Sequence, residues 1–192
     1  MIQVSTERLL LRVLKREDEA EFIRIHTISR EHFAPFMPSR KPGQTLTDRF
    51  EEELIRTEES IAAGTDLRLV GVLCDGRIAG FFTLSQIYRR AFQSCYAGWH
   101  VSVDQVGKGL ATEGVHGLLD LAFAKPPEGL SLHRVQANII PSNKKSIRVA
   151  EKNGFRREGL AERYLQINGQ WHDHVMYAKT SEEHRFRYVI QS

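Results

Sequence analysis

The order of elements in this chain predicts an α+β fold, in which helices flank one mixed and mostly antiparallel central sheet. Two observations come from the middle and end of the chain, where Asp75-Gly76 and Asn168-Gly169 each separate two β-rich runs. Both dipeptides favour the left-handed backbone of a tight hairpin turn, which makes the flanking strands antiparallel. The third observation lies between them. Strands there alternate with helical stretches long enough to serve as crossovers, and a crossover returns a strand parallel to the one it left. Antiparallel hairpins at both ends and crossover helices in the middle argue for an α+β fold on one mixed sheet.

In chain order, Arg8 to Leu14 reads as a strand and Lys15 to Asp18 as the turn into a helix carrying Ala20, Phe22, Ile23 and Ile25. Residues 31–42 mix aromatics, prolines and basic residues in one irregular segment. That mixture suits a lid or substrate rim, or equally a hydrophobic loop folded over the core. Thr47 to Ala63 has helical periodicity, with Thr47 or Asp48 as cap, Gly64 as stop, and Phe50, Leu54 and Ile61 on the apolar side. Leu67 to Cys74 and Ile78 to Ile87 are the strands of the first hairpin, and Cys95 to Val101 is a further strand. A helix follows Gly109, with Leu110, Ala111, Leu118, Leu119, Leu121 and Ala122 able to share one broad face. Arg134 to Ile140 is a strand closed by Pro141. Ser142 or Asn143 can cap the next helix, which carries Ile147, Val149 and Ala150 and stops at Asn153-Gly154. Arg156 to Ile167 and Trp171 to Lys179 form the last hairpin.

The 192 residues are most simply one domain spanning residues 1–180, followed by a charged, peripheral C-terminal tail over 181–192. A net charge of +3, scattered along the chain, gives no basis for direct nucleic-acid binding. No run approaches the ~20 apolar residues that span a membrane, and the N-terminal apolar run is too short for a signal peptide. Cys74 and Cys95 lack CxxC spacing and read as reduced buried thiols of a cytoplasmic protein.

The stretch from Val101 to Gly114 carries the clearest chemical signal. A β-prone run ends in Gly107-Lys108-Gly109 and a helix begins at once. The first turn of a helix has N–H groups without intrahelical partners, and the helix dipole adds positive potential. With no Ser, Thr, Asp or Asn directly before the helix, those donors are free for an anion such as a pyrophosphate. The alternative is an ordinary strand-turn-helix corner. A dinucleotide fingerprint would need glycine at Thr112, and a Walker loop would need Ser or Thr at Gly109, so neither fits. The stretch resembles the acetyl-CoA loop of the GCN5-related N-acetyltransferases. It departs from their usual pattern at Asp104 and Val106, where Gln or Arg and then Arg are common.

A second stretch, Asn138-Ile-Ile-Pro-Ser-Asn143-Lys-Lys-Ser146 on to Gly154-Phe155, resembles the same family's signature for the pantetheine arm. The resemblance implies a single-domain fold of that family and acetyl-CoA as co-substrate. It places the co-substrate against Val101, Val103, Val106, Gly107, Lys108, Gly109, Leu110, Ala111 and Thr112. It puts Asn138 and Asn143 on the pantetheine amides and Ser146 beside the thiol. Asn suits an amide because it both donates and accepts, although Asn143 also reads as a plain helix cap.

The runs at Ala91 to Gly98 and Tyr164 to Met176 are similar to the ribosomal S5-type alanine N-acetyltransferases. That likeness implies transfer of acetyl to the N-terminal α-amino group of a protein such as a ribosomal protein, by an enzyme that is a monomer or homodimer. A small free amine (polyamine, amino acid or antibiotic) is the alternative acceptor, and a non-catalytic acyl-CoA sensor the alternative role. Ser146 is expected to donate to the departing thiolate. Some relatives carry a glutamate base where this chain has Leu165, so Asp173, acting through a water, is the replacement candidate, with His100 and Tyr96 behind it. His172 and His174 share one strand face but find no third ligand in the sequence, so no metal is expected.

Overall fold

The computed structural model describes residues 3–191. Two short strands, β1 (Gln3–Ser5) and β2 (Leu10–Val13), lead into α1 (Glu19–Ile28), the single turn α2 (Arg30–Phe33) and α3 (Leu46–Ala63). Then come β3 (Leu67–Val72), β4 (Ile78–Tyr88), β5 (Ser94–Val101) and α4 (Leu110–Phe123). The chain continues through β6 (Arg134–Ile139), α5 (Lys144–Lys152), β7 (Arg156–Ile167), β8 (Gln170–Thr180) and β9 (Val189–Gln191). Among the described residues, nine strands form one sheet in the order β7-β8-β6-β5-β4-β3-β2-β1-β9. Only β5 and β6 run parallel; the other neighbours are antiparallel.

Strand alternation gives the sheet two packed faces. Phe81 of β4 points to one of them, where it joins Phe22 and Ile25 of α1 and Phe50 and Leu54 of α3. Its neighbour Phe82 points to the other, with Leu110, Val115, Leu118 and Leu119 of α4 and Ala150 of α5. Helix α4 lies close against the sheet because Gly114 has no side chain: a Cβ there would come within 2.2 Å of the Phe82 ring. The face expected for α4 is too narrow a description. Gly117 and the run from Leu118 to Phe123 are all buried, so the middle of this helix is enclosed nearly all round.

Several local expectations shift. Helix α3 is capped by Thr45, whose Oγ1 accepts from Asp48 N–H while the Asp48 carboxylate accepts from Thr45 N–H at 2.9 Å. Asp48 is therefore the third residue of a capping box, not the cap itself, and Thr47 lies inside the helix. Ile61, assigned to the apolar side, is exposed in the last turn before the Gly64 cap. Cys95 is buried as expected, but Cys74 is exposed at the mouth of the β3–β4 turn.

The largest correction concerns the segment after Thr180. It does not remain a peripheral tail. Its last strand, β9, pairs with β1, and His184 is buried. The fully buried carboxylate of Asp120 on α4 accepts from His184 Nε2 (2.6 Å) and from Tyr188 N–H (2.9 Å). A buried carboxylate needs such partners, and this segment supplies them.

A candidate acetyl-CoA cleft

The parallel junction of β5 and β6 is short. Ser94, Cys95 and Tyr96 pair with Arg134, Val135 and Gln136, and beyond those residues the strands part. A cleft of about 950 Å³ opens between them, walled by Ala97 to Val101 on one side and Asn138 to Ile140 on the other. Ser102 gives its N–H to Ala79 on the β4 side. Backbone groups alternate sides along a strand, so Val101 and Trp99 turn theirs toward the gap. An N–H in that position has no ladder partner within the sheet.

The glycine loop forms the floor of one end. Gly107 and Gly109 have φ of +84° and +82°, and Gly109 stands at the N-cap of α4 without any side-chain cap. Only glycine takes such angles without strain, and a Cβ built at Gly107 meets nothing within 4 Å. The loop is thus a backbone surface with free donors at a helix N-terminus. Val106, Gly107, Gly109, Leu110, Ala111 and Thr112 all line the cleft. Lys108 does not: its ammonium donates to Gln105 Oε1 (3.0 Å), and its carbonyl accepts from Arg8 Nη1 (2.9 Å). Val103 is likewise outside the lining, and its N–H is already given to Ser29 Oγ at 3.0 Å. Of Val101 and Val103, Val101 alone turns a backbone N–H toward the gap. Asp104 turns away from the loop, pairing with Arg24 (3.1 Å) and accepting from Ser102.

Helix α5 and the end of β6 supply the opposite wall. Asn143 caps α5 by accepting Ser146 N–H at 3.1 Å, so the cap reading is correct. That bond uses the Ser146 backbone and leaves its hydroxyl uncommitted on the cavity wall. Asn138 donates through Nδ2 to the Tyr164 hydroxyl at 2.9 Å, while its Oδ1 is buried without a partner. A buried acceptor left open on a cavity wall is costly unless a ligand or water satisfies it. Lys144, Lys145, Arg148 and Lys152 make this end of the cleft basic.

The other end is aromatic. Phe33, Phe36 and Met37 reach the cleft from the 31–42 segment, and Ser39 N–H is tied to Asn168 at the tip of the β7–β8 hairpin (2.8 Å). The segment thus lines the cleft, and Phe33 also belongs to the core. His100 enters the same end from β5, stacked on Phe81 with centroids 4.7 Å apart and edge-on to Phe33. Its Nε2 is buried and unpaired. Burial, with His26 and the charge of Arg49 nearby, pushes its pKa down to about 3, so the ring is neutral at any ordinary pH. Tyr96 lies further along β5, close enough to Tyr164 to join burial in raising that phenol's pKa. Asp173 is not part of the cleft. Its carboxylate accepts Arg163 N–H at 2.8 Å where β7 bulges, which corrects its expected role as a relayed base. His174 lines the cleft with Nδ1 on the His172 carbonyl (3.0 Å), and neither histidine joins a three-ligand group among the described residues.

A model of the acetyltransferase (GNAT) domain family matches residues 8–156. The chain belongs to this family. A probable N-acetyltransferase of Bacillus subtilis, YjcK, is 30% identical over 171 residues, 88% of this chain and 92% of the relative. The [ribosomal protein uS5]-alanine N-acetyltransferase of Escherichia coli is 28% identical over 183 residues, 95% and 92% of the two chains. The solved structure of Mycobacterium smegmatis RimJ in complex with CoA-disulfide superposes with a TM-score of 0.85 at 30% identity, covering 94% of this chain and 88% of that one. As a GNAT enzyme the chain is an acetyl-CoA-dependent N-acetyltransferase, and acetyl-CoA is its co-substrate. The cleft fits that molecule on its own chemistry. It offers uncapped helix donors and basic side chains for phosphates, and at Asn138 a buried amide oxygen without a partner.

Sequence reasoning missed Trp99 and Ile167, which line the cleft, and the pairing of Asn138 with Tyr164. No spacing rule links two residues 26 positions apart on different strands.

Proposed function

We propose that this GNAT enzyme acetylates the N-terminal α-amino group of a protein, such as the alanine or serine terminus of a ribosomal protein. One observation carries the choice. Among the described residues, Glu31 is the only carboxylate lining the cleft, and the acceptor end is otherwise aromatic and apolar. A polyamine with several charges would call for several carboxylates, whereas a single terminal ammonium on a chain needs one and an open mouth. Similarity to the uS5-alanine N-acetyltransferase points the same way.

In this reading the N–H groups from Gly107 to Thr112 hold the pyrophosphate, and Asn138 Oδ1 with Asn143 Nδ2 holds the pantetheine amides. Acetyl-CoA supplies the acetyl thioester. The Val101 N–H, turned into the gap, donates to the thioester oxygen as negative charge grows there. Ser146 donates its hydroxyl to the departing sulfur. His100, neutral and packed between Phe81 and Phe33, keeps the acceptor end apolar beside the amine. An α-amino group has a pKa of about 8, so near neutral pH it needs only a weak base.

A peptide panel tests the proposal by CoA release. Peptides with free Ala or Ser termini should react faster than the same peptides with blocked termini and an internal lysine, and faster than spermidine. Equal rates with the blocked lysine peptide, or preference for spermidine, would overturn it.

A further inference from the structure

Outside the cleft, three metal-ligand side chains meet: His116 and Asp120, one turn apart on α4, and His184 from the segment leading to β9. One ligand atom of each lies within 4.8 Å of the others. Both imidazole Nε2 atoms converge on the same oxygen, Asp120 Oδ1, at 2.6 Å from His184 and 3.9 Å from His116. The Tyr188 N–H holds the other carboxylate oxygen at 2.9 Å, the supporting bond that orients a ligating carboxylate. Asp120 and the His184 side chain are fully buried. Phe123 and Phe186 pack on the His184 ring at centroid distances of 5.1 and 5.0 Å, which keeps water off that side.

We propose that His116, Asp120 and His184 form a site for a divalent transition metal of the zinc class. Two imidazoles and one carboxylate are ligands that zinc accepts, with water in the fourth position, whereas magnesium and calcium call for all-oxygen sets. Tetrahedral bonds of about 2.0–2.1 Å place ligand atoms roughly 3.3 Å apart. From 2.6 and 3.9 Å, His184 then backs away and His116 closes in by similar amounts, each roughly 0.6–0.7 Å. The ion takes the place of the proton that His184 Nε2 donates to Asp120, and the ring stays neutral by carrying that proton on Nδ1 instead. His116 gives up its 3.0 Å bond to the Arg185 carbonyl. It also lines a cavity of about 430 Å³, which provides an entry path. Bound there, the metal would rivet the last strand to the helix that begins at the glycine loop. Sequence alone could not show the site, because His184 lies 64 residues beyond Asp120.

Metal-free full-length protein tests this with Zn²⁺, read by competition with a chromophoric chelator, and with Co²⁺, read by visible absorption. One Zn²⁺ per chain, a four-coordinate Co²⁺ spectrum and a higher melting temperature are expected. His116→Ala keeps the His184–Asp120 bond, and so the fold. It should abolish the Co²⁺ bands and weaken Zn²⁺ binding by more than the roughly ten- to hundredfold lost with a mere supporting contact. His172→Ala should change nothing. Equal binding by His116→Ala, equal loss in His172→Ala, or no stoichiometric binding by the natural chain would each overturn the proposal.

Discussion

Arg8 clamps Glu113 through Nε at 2.7 Å and Nη2 at 2.6 Å, while its Nη1 holds the carbonyl of Lys108. One guanidinium thus fastens the approach to β2 to both the glycine loop and the first turn of α4. Burial alone would raise the Glu113 carboxyl, but hydrogen bonds from Thr6 and Arg8 outweigh it and hold the group below the usual carboxylate range. Arg8 itself is half exposed, so water screens the pair and its worth is modest.

Removing that clamp should loosen the loop without touching the acceptor end. Arg8→Ala is expected to raise the KM for acetyl-CoA by about two- to fivefold, the equivalent of up to about 1 kcal/mol, with kcat unchanged. Arg8→Lys should not restore it, because a point charge cannot reproduce the guanidinium fork on two acceptors. Steady-state kinetics at saturating peptide distinguishes the outcomes; a fall in kcat alone would refute this role.

Gly109→Val should abolish the rise in melting temperature that acetyl-CoA gives the natural chain. At φ +82° a β-branched residue costs roughly 1–2 kcal/mol or more, and its side chain would stand over the helix donors. NAD and ATP at the same concentration should produce no rise in either protein. A shift that survives in Gly109→Val would show that the loop is not where the pyrophosphate rests.

Ser146→Ala separates catalysis from binding. The cap bond at this position uses the Ser146 backbone N–H, which alanine keeps, so stability and acetyl-CoA affinity should hold. A hydrogen bond to a charged sulfur is about twice as strong as one to a neutral group, so losing the hydroxyl should lower kcat by about ten- to a thousandfold. If melting temperature and affinity fall while kcat stands, Ser146 is a packing residue.

Two histidines set an acid limit on the fold. Burial, helped by Arg49 and Arg40, lowers His26 to about 4 although its Nδ1 donates to Phe22, and His100 is lowered to about 3. Both values lie below the ordinary 6.5, so the unfolded chain takes up protons that the folded one refuses. Stability is therefore full above about pH 6.5 and is lost as pH falls below it, by about 1.4 kcal/mol per unit for each ring. Melting curves between about pH 7 and 5 should show the decline, and His26→Leu should flatten it by about half. A level profile in the natural chain would contradict the assignment.

The sheet, its two hairpins and the cleft walls were legible because each rests on local signals. Glycine positions, Asx-Gly turns and the Asn138 to Ser146 run act within a few residues of themselves. The failures came where distant groups decide. Asp173 looks like a spare acid until Arg163, ten residues away across a bulge, claims its carboxylate. The segment after Thr180 looks like a solvated tail by charge count. Yet His184 is buried and only Val189–Gln191 form a strand, an arrangement set by the distant Asp120 and β1 and not by any local pattern.

Holding β5 to β6 by three residue pairs has a cost that the rest of the sheet does not share. The ladder ends at Tyr96 and Gln136, so the two halves of the sheet depend on α4, packed across both, as a splint. Opening of such a seam requires the breaking of few hydrogen bonds, so sub-global breathing starts there rather than at the outer hairpin. The same gap that admits a thioester makes β7, β8 and β6 a cooperative unit that can part from the meander formed by β1 to β5. Amide protons along Asn138 and Ile139 then exchange with solvent ahead of those in β3 and β4, and a molecule bridging the gap slows them by stitching the halves together.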